Sequence, residues 1–116
     1  MRERQPMKFA TRNLDDLVTV ISAEGRLNMA SAAELRETVA AAVFAARPRI
    51  VVDLSGVDFM DSSGLGALVG CLKTARQAGG DLRIAAPSEQ VTMVLQLSNL
   101  DRIFTSYASA EDAYRD

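Results

Sequence analysis

The residues best placed to do chemistry are Asp61-Ser62-Ser63-Gly64, which close a polar segment, SGVDFMDSSG, and open an apolar pattern of helical period. Two hydroxyls stand beside a carboxylate there, with Asp58 three residues upstream. Capping alone accounts for such a group, because Asp or Ser at a helix start accepts hydrogen bonds from otherwise unpaired backbone amides. A helix N-terminus is also an anion site, where exposed amides and a favourable dipole would receive a phosphate esterified to a first-turn serine. That phosphate would bring roughly −1.5 to −2 charges next to Asp58 and Asp61 and repel an acidic or tightly packed partner. The stretch therefore reads either as a cap or as a switch.

Other chemistry is poorly provided for. The chain has no histidine, so no Ser-His-Asp triad can form, and Ser63 lies in no G-x-S-x-G elbow, which leaves a serine hydrolase without support. The single cysteine, Cys71, sits within an apolar helical pattern and reads as a small core residue; zinc would have to be held by carboxylates, which show no organised spacing. Gly64, Gly66 and Gly70 do not reproduce G-x-G-x-x-G, and no P-loop lysine follows. Gly66 and Gly70 are one turn apart and suggest close approach, to an internal element in preference to a partner helix. Phe59 and Met60 could be exposed anchors or core residues; Met60 is taken as a partner contact. Lys and Arg number 13 against 15 Asp and Glu, scattered along the chain, which disfavours nucleic acid as a partner. No apolar run reaches about 18 residues and the start MRERQPMKF lacks a signal-type segment, so the expectation is a cytoplasmic protein without membrane insertion.

The elements that must position this group follow from two hydrophobic periods separated by turn residues. The 116 residues are expected to form an N-terminal tail, 1–6, and one domain, 7–116. Met7, Phe9 and Thr11 alternate with polar or small residues, and a turn at Asn13-Leu14-Asp15-Asp16 leads into a strand Leu17–Glu24, giving an N-terminal hairpin. Ser31 and Glu34 have capping-box spacing ahead of a helix with Leu35, Val39, Ala42, Val43 and Ala46 on one face, ended by Pro48. Ile50–Leu54 reads as a central strand buried on both faces, followed by a loop containing Gly56. A second helix begins near Ser62, carries Leu65, Leu68, Val69, Leu72 and Ala75, and stops at Gly79-Gly80. A strand Leu82–Ala86, a third helix opened by Pro87-Ser88 with Val91, Val94 and Leu95 inside, a strand Ile103–Tyr107 and a short helix capped by Ser109 complete the chain. The fold class is α/β: a mostly parallel sheet of four or five strands with about four flanking helices. Parallel strands bring three connections to one edge, Gly25 to Ala30, Ser55 to Ser63 and Ala86 to Ser88, and this edge is the functional candidate.

The segment from IVVDLSGVDFMDSSGLG through LSNLDRIF resembles the STAS domains of anti-sigma factor antagonists, with FMDSSGLG as signature and EGRLNMASAAEL as a weaker match. The resemblance covers nearly everything after the tail. It implies that Ser63, the second serine of D-S-S-G, is phosphorylated by an anti-sigma factor that is itself an ATP-dependent serine kinase. The unmodified protein would bind that kinase and release its sigma factor; phosphorylation would block binding, and a phosphatase would restore it. ATP and magnesium would belong to the partner, with no cofactor or catalytic residue here. Asp58, Asp61, Ser62 and Gly64 would face the kinase, with Ser62 better placed as the cap. The alternative is a STAS subunit of another assembly, such as a bacterial lipid transporter or a signalling complex, that acts by docking. A monomer is expected in isolation. One departure stands out: where many antagonists have G-x-L-D, this chain has Gly25-Arg26-Leu27-Asn28. Asn28 either contacts the kinase without the usual charge or only supports the turn and caps the first helix.

Overall fold

A computed structural model describes residues 8–114, so the tail 1–6 and Met7 lie outside the described residues. The hairpin forms as the alternation predicts, with β1 (Lys8–Asn13) antiparallel to β2 (Val18–Leu27). Asp15 makes the turn, its Oδ1 accepting the amides of Leu17 at 2.7 Å and Val18 at 3.0 Å. β3 (Arg49–Met60) and β4 (Asp81–Ala85) continue the sheet in parallel, and a two-residue β5 (Ser106–Tyr107) ends it, in the order β1-β2-β3-β4-β5.

This sequential order explains where the helices lie. Crossovers of one hand that always step in the same direction land on the same side of the sheet. α1 (Met29–Phe44), α2 (Ser62–Gln77) and α3 (Glu89–Leu97) accordingly pack on one face, where Leu35, Val39, Leu68, Leu72, Val91 and Leu95 meet Ile21, Ile50, Val52, Leu54, Leu82 and Ile84. The opposite face is covered by the C-terminal segment, with Ala110 and Ala113 against Val18, Val20, Val51 and Ala85. Two buried faces explain the nearly unbroken apolar run of β3. Among the described residues, three α-helices and two 3-10 turns, Leu100–Arg102 and Ala110–Asp112, stand in place of the expected four helices.

Several boundaries move for identifiable reasons. Asn28, not Ser31, caps α1: its side chain accepts from the amides of Ala30 at 3.0 Å and Ser31 at 3.3 Å, while Ser31 Oγ accepts from the Asn28 amide at 3.0 Å. The capping box exists one turn earlier than the Ser31/Glu34 spacing indicates, because Asn performs the same task as Ser. α1 also stops before Pro48: Arg47 N–H donates to Ala42 C=O and Ala46 N–H to Val43 C=O, with Ala46 at φ 64°, so Ala46 leaves the helical face. α2 ends by the same bonding pattern with Gly79 at φ 90°, the residue type that takes this conformation without steric cost. The expected strand Ile103–Tyr107 shrinks to Ser106–Tyr107, preceded by a 3-10 turn, and Ser109 begins the terminal turn without a side-chain capping bond.

The C-terminal segment is latched by Tyr114, whose hydroxyl lies 2.9 Å from Asp81 C=O and 3.1 Å from Ile50 C=O, with the Arg83 guanidinium 4.1 Å over its ring. Arg83 also donates to Ala113 C=O at 2.7 Å. Burial, reinforced by the Asp81 carboxylate, raises the Tyr114 hydroxyl from 10.0 to about 12. An acid whose folded pKa is raised holds its proton longer in the native state, so its stabilisation is complete below pH 10 and is lost as pH climbs toward 12. Urea midpoints are expected to fall across that window in the wild type and to fall less in Tyr114→Phe; identical slopes would mean that the latch does not form.

Candidate functional site

The three stretches expected at the C-terminal edge of the parallel strands do meet there, although the central one is not a loop. β3 runs on to Met60, pairing with β2 through Leu27↔Met60 after two register shifts, so only Asp61 separates strand from helix. The polar letters of SGVDFM conceal this strand, since Ser55 and Asp58 face solvent while Val57 and Met60 are buried. Met60 is therefore a core residue, 1% exposed, and not the partner contact expected of it.

α2 starts immediately with Asp61 as N-cap, its carboxylate accepting the Gly64 amide at 3.0 Å. The cap is thus Asp61 rather than Ser62. Ser62 is exposed and Ser63 half-buried, and among the described residues neither hydroxyl has a hydrogen-bond partner. Their amides belong to the first turn, where helix geometry provides no carbonyl. Among the described residues, a hydroxyl without a structural duty thus sits beside first-turn N–H groups that have no intrahelical acceptor.

Gly64 fixes how closely this turn approaches β2. A Cβ at that position would lie 2.1 Å from the Leu27 carbonyl oxygen, and Asp61 N–H donates to the same oxygen at 3.3 Å. Gly64 is buried by this approach, which corrects its assignment to the partner surface. Gly66 and Gly70 reverse the expectation in the other direction: an added Cβ at either meets nothing within 4 Å, so internal packing does not require them.

Asn28 follows Leu27 directly, so α1's cap and α2's first turn are anchored to the same strand end. Ser31 Oγ ties this corner together by donating to Arg26 C=O at 2.9 Å. The capping reading of Asn28 is the one with visible hydrogen bonds, and it leaves the residue half-buried at the edge. Aspartate caps as well as asparagine and adds a charge at a helix N-terminus. Asn28→Asp is expected to keep or raise stability by up to about 1 kcal/mol, read from urea midpoints; a clear loss would mean that the carboxamide N–H2 is needed at this corner.

Residues that pattern reading missed complete the edge. Gln90, on α3, accepts the Met60 amide at 2.8 Å and donates to Met60 C=O at 3.0 Å. Arg26 stacks over Phe59 at 4.2 Å from the ring centroid, across paired positions of β2 and β3. Neither contact has a local sequence signal, because each joins separate elements. Cys71, by contrast, is the buried core residue expected, its thiol pushed up to about 11 by burial and therefore held as the unreactive protonated form.

The edge as a whole is a surface. Among the described residues the strand order never reverses, so the edge has no topological switch point of the kind where open α/β sheets bind small ligands. No helix among the described residues is long and apolar enough to cross a membrane. With helices on one face of the sheet and the C-terminal segment on the other, the edge presents a half-buried serine at a capped helix start.

The chain belongs to the STAS domain family, whose model matches residues 9–113. A putative anti-sigma factor antagonist of Thermotoga maritima is 38% identical over 68 residues, 59% of this chain and 60% of that relative, so the match spans under two thirds of its length. The putative anti-sigma factor antagonist BtrV of Bordetella bronchiseptica is 30% identical over 107 residues, 92% of this chain and 91% of the relative. The structure is similar to that of the anti-sigma factor antagonist SpoIIAA in its unphosphorylated form, with a TM-score of 0.77 and 26% identity over 90% of this chain and 91% of that one. The resemblance to STAS domains and the α/β fold expected from it are both borne out.

Proposed function

We propose that this chain is an anti-sigma factor antagonist of the bacterial cytoplasm that acts by binding, without catalysis of its own. Unmodified, it docks its Ser63 edge on a kinase-type anti-sigma factor and frees the sigma factor. The kinase, using its own ATP and magnesium, phosphorylates Ser63 and ends the complex; a serine phosphatase reverses the modification. The observation that carries this reading is the division of labour at α2: Asp61 does the capping, so the Ser63 hydroxyl is left free at the edge. Asp58 and Ser62 are exposed beside it and available for contact. A phosphate there would meet first-turn amides without requiring the domain to unfold, while its charge would add to those of Asp58 and Asp61. The reading is also supported by a relative whose solved structure is described as an unphosphorylated form.

The test uses wild type and Ser63→Glu as baits in lysate of the source organism, followed by incubation of the captured protein with labelled ATP. Capture of one serine-kinase-like ATPase by wild type alone, with label entering Ser63, is the expected result. Equal capture of a transporter or scaffold subunit by both baits would place the chain in a different STAS assembly.

A further inference from the structure

β3 has 12 residues, yet β4 pairs only with its first five, Arg49 to Asp53. Beyond Asp53 the strand keeps β2 on one side and, among the described residues, has no strand on the other. Its last residue, Met60, immediately precedes the Asp61 cap, so motion of this strand end would carry the Ser63 turn with it. At that point the Gln90 carboxamide bonds both the N–H and the C=O of Met60, at 2.8 and 3.0 Å. A carboxamide offers the same donor and acceptor as a peptide group, and two bonds exchanged with one residue reproduce the hydrogen-bonded pairing of an antiparallel neighbour. Gln90 is itself held because α3 is capped by Ser88, whose Oγ accepts from Val91 N–H at 3.2 Å, and because Val91 and Leu95 are buried in the core.

We propose that Gln90 is the positioning residue of the phosphoacceptor turn, standing in for the strand that β4 does not supply and holding Met60, Asp61 and Ser63 in the geometry a kinase meets. The inference rests on the reading of Ser63 as phosphoacceptor for its functional consequence, but the positioning itself is a property of this chain alone. Removing the carboxamide frees two peptide groups, and a turn that is correctly placed for only part of the time binds a partner more weakly by that fraction.

The test compares wild type, Gln90→Ala and Gln90→Glu by amide hydrogen exchange followed by NMR, with global stability measured in urea for each. Two hydrogen bonds of typical strength correspond to exchange at the Met60 amide about tenfold or more faster in Gln90→Ala, with Gly64 also accelerated and Val51 and Val52 changed only as global stability dictates. Gln90→Glu retains an acceptor for the Met60 amide but loses the donor to its carbonyl, and is expected to fall between the other two. With the captured kinase, Gln90→Ala should raise KM for Ser63 phosphorylation several-fold at little change in kcat, a split that lowered global stability would not produce. Unchanged exchange at Met60 and Gly64 overturns the inference whatever happens at Ser63. Accelerated exchange with no label entering wild-type Ser63 would instead sink the proposed function and leave the positioning intact.

Discussion

Ser63→Glu is expected to lower affinity for the captured kinase by about a hundredfold or more, while changing unfolding free energy by no more than about 0.5 kcal/mol. The two effects separate because Ser63 has no hydrogen-bond partner to lose among the described residues, and the cap at Asp61 is untouched. The new carboxylate joins exposed Asp58 and the Asp61 carboxylate at the proposed docking surface, and burying like charge against a fitted partner costs several kcal/mol. Ser63→Ala is the companion, expected to bind like wild type and to incorporate no phosphate. Titration calorimetry against the purified kinase reads both; equal affinities for wild type and Ser63→Glu would remove the switch from this site.

The second large effect concerns two glycines, two residues apart, that should respond with opposite signs. Gly64→Ala puts a methyl against the Leu27 backbone carbonyl, where nothing flexible can yield, so α2 must move off the end of β2. A loss of about 1–3 kcal/mol is expected, typical of overpacking, together with slower phosphorylation because Ser63 rides on the displaced turn. Gly66→Ala adds the same methyl to open space in the interior of a helix, and is expected to gain about 0.5–1 kcal/mol by restricting the unfolded chain and raising helix propensity. Urea midpoints with unchanged m-values would confirm both. A Gly66→Ala variant of improved stability that no longer binds the kinase would assign this glycine to the interface, the role its free Cβ position leaves open.

How much was legible beforehand depended on whether the signal was local. The hairpin and the three helices follow periods of two and of 3.6, the first half of β3 is a nearly unbroken apolar run, and each of these begins within a few residues of its expected place. The stretch from Ser55 to Met60 misled because its polar letters suggest a loop. It is a strand whose bulged pairing with β2 supplies the order that its composition does not. Asn28 shows the same limit on a smaller scale. A cap by Asn and a cap by Ser look alike in sequence, and only hydrogen bonds distinguish the register.

The sequence by itself determined the α/β class, the family and the Asp61-Ser62-Ser63-Gly64 motif at a helix start, because these rest on periodicity and on residues adjacent in the chain. It also excluded a histidine-based active site, since composition alone decides that. The tertiary structure decided which member of the motif caps and which is free, that Met60 and Gly64 are buried, and that Gln90 supports the strand end from 30 positions away. Those outcomes depend on how closely α2 approaches β2 and on where β4 stops, distances between elements that no local pattern encodes.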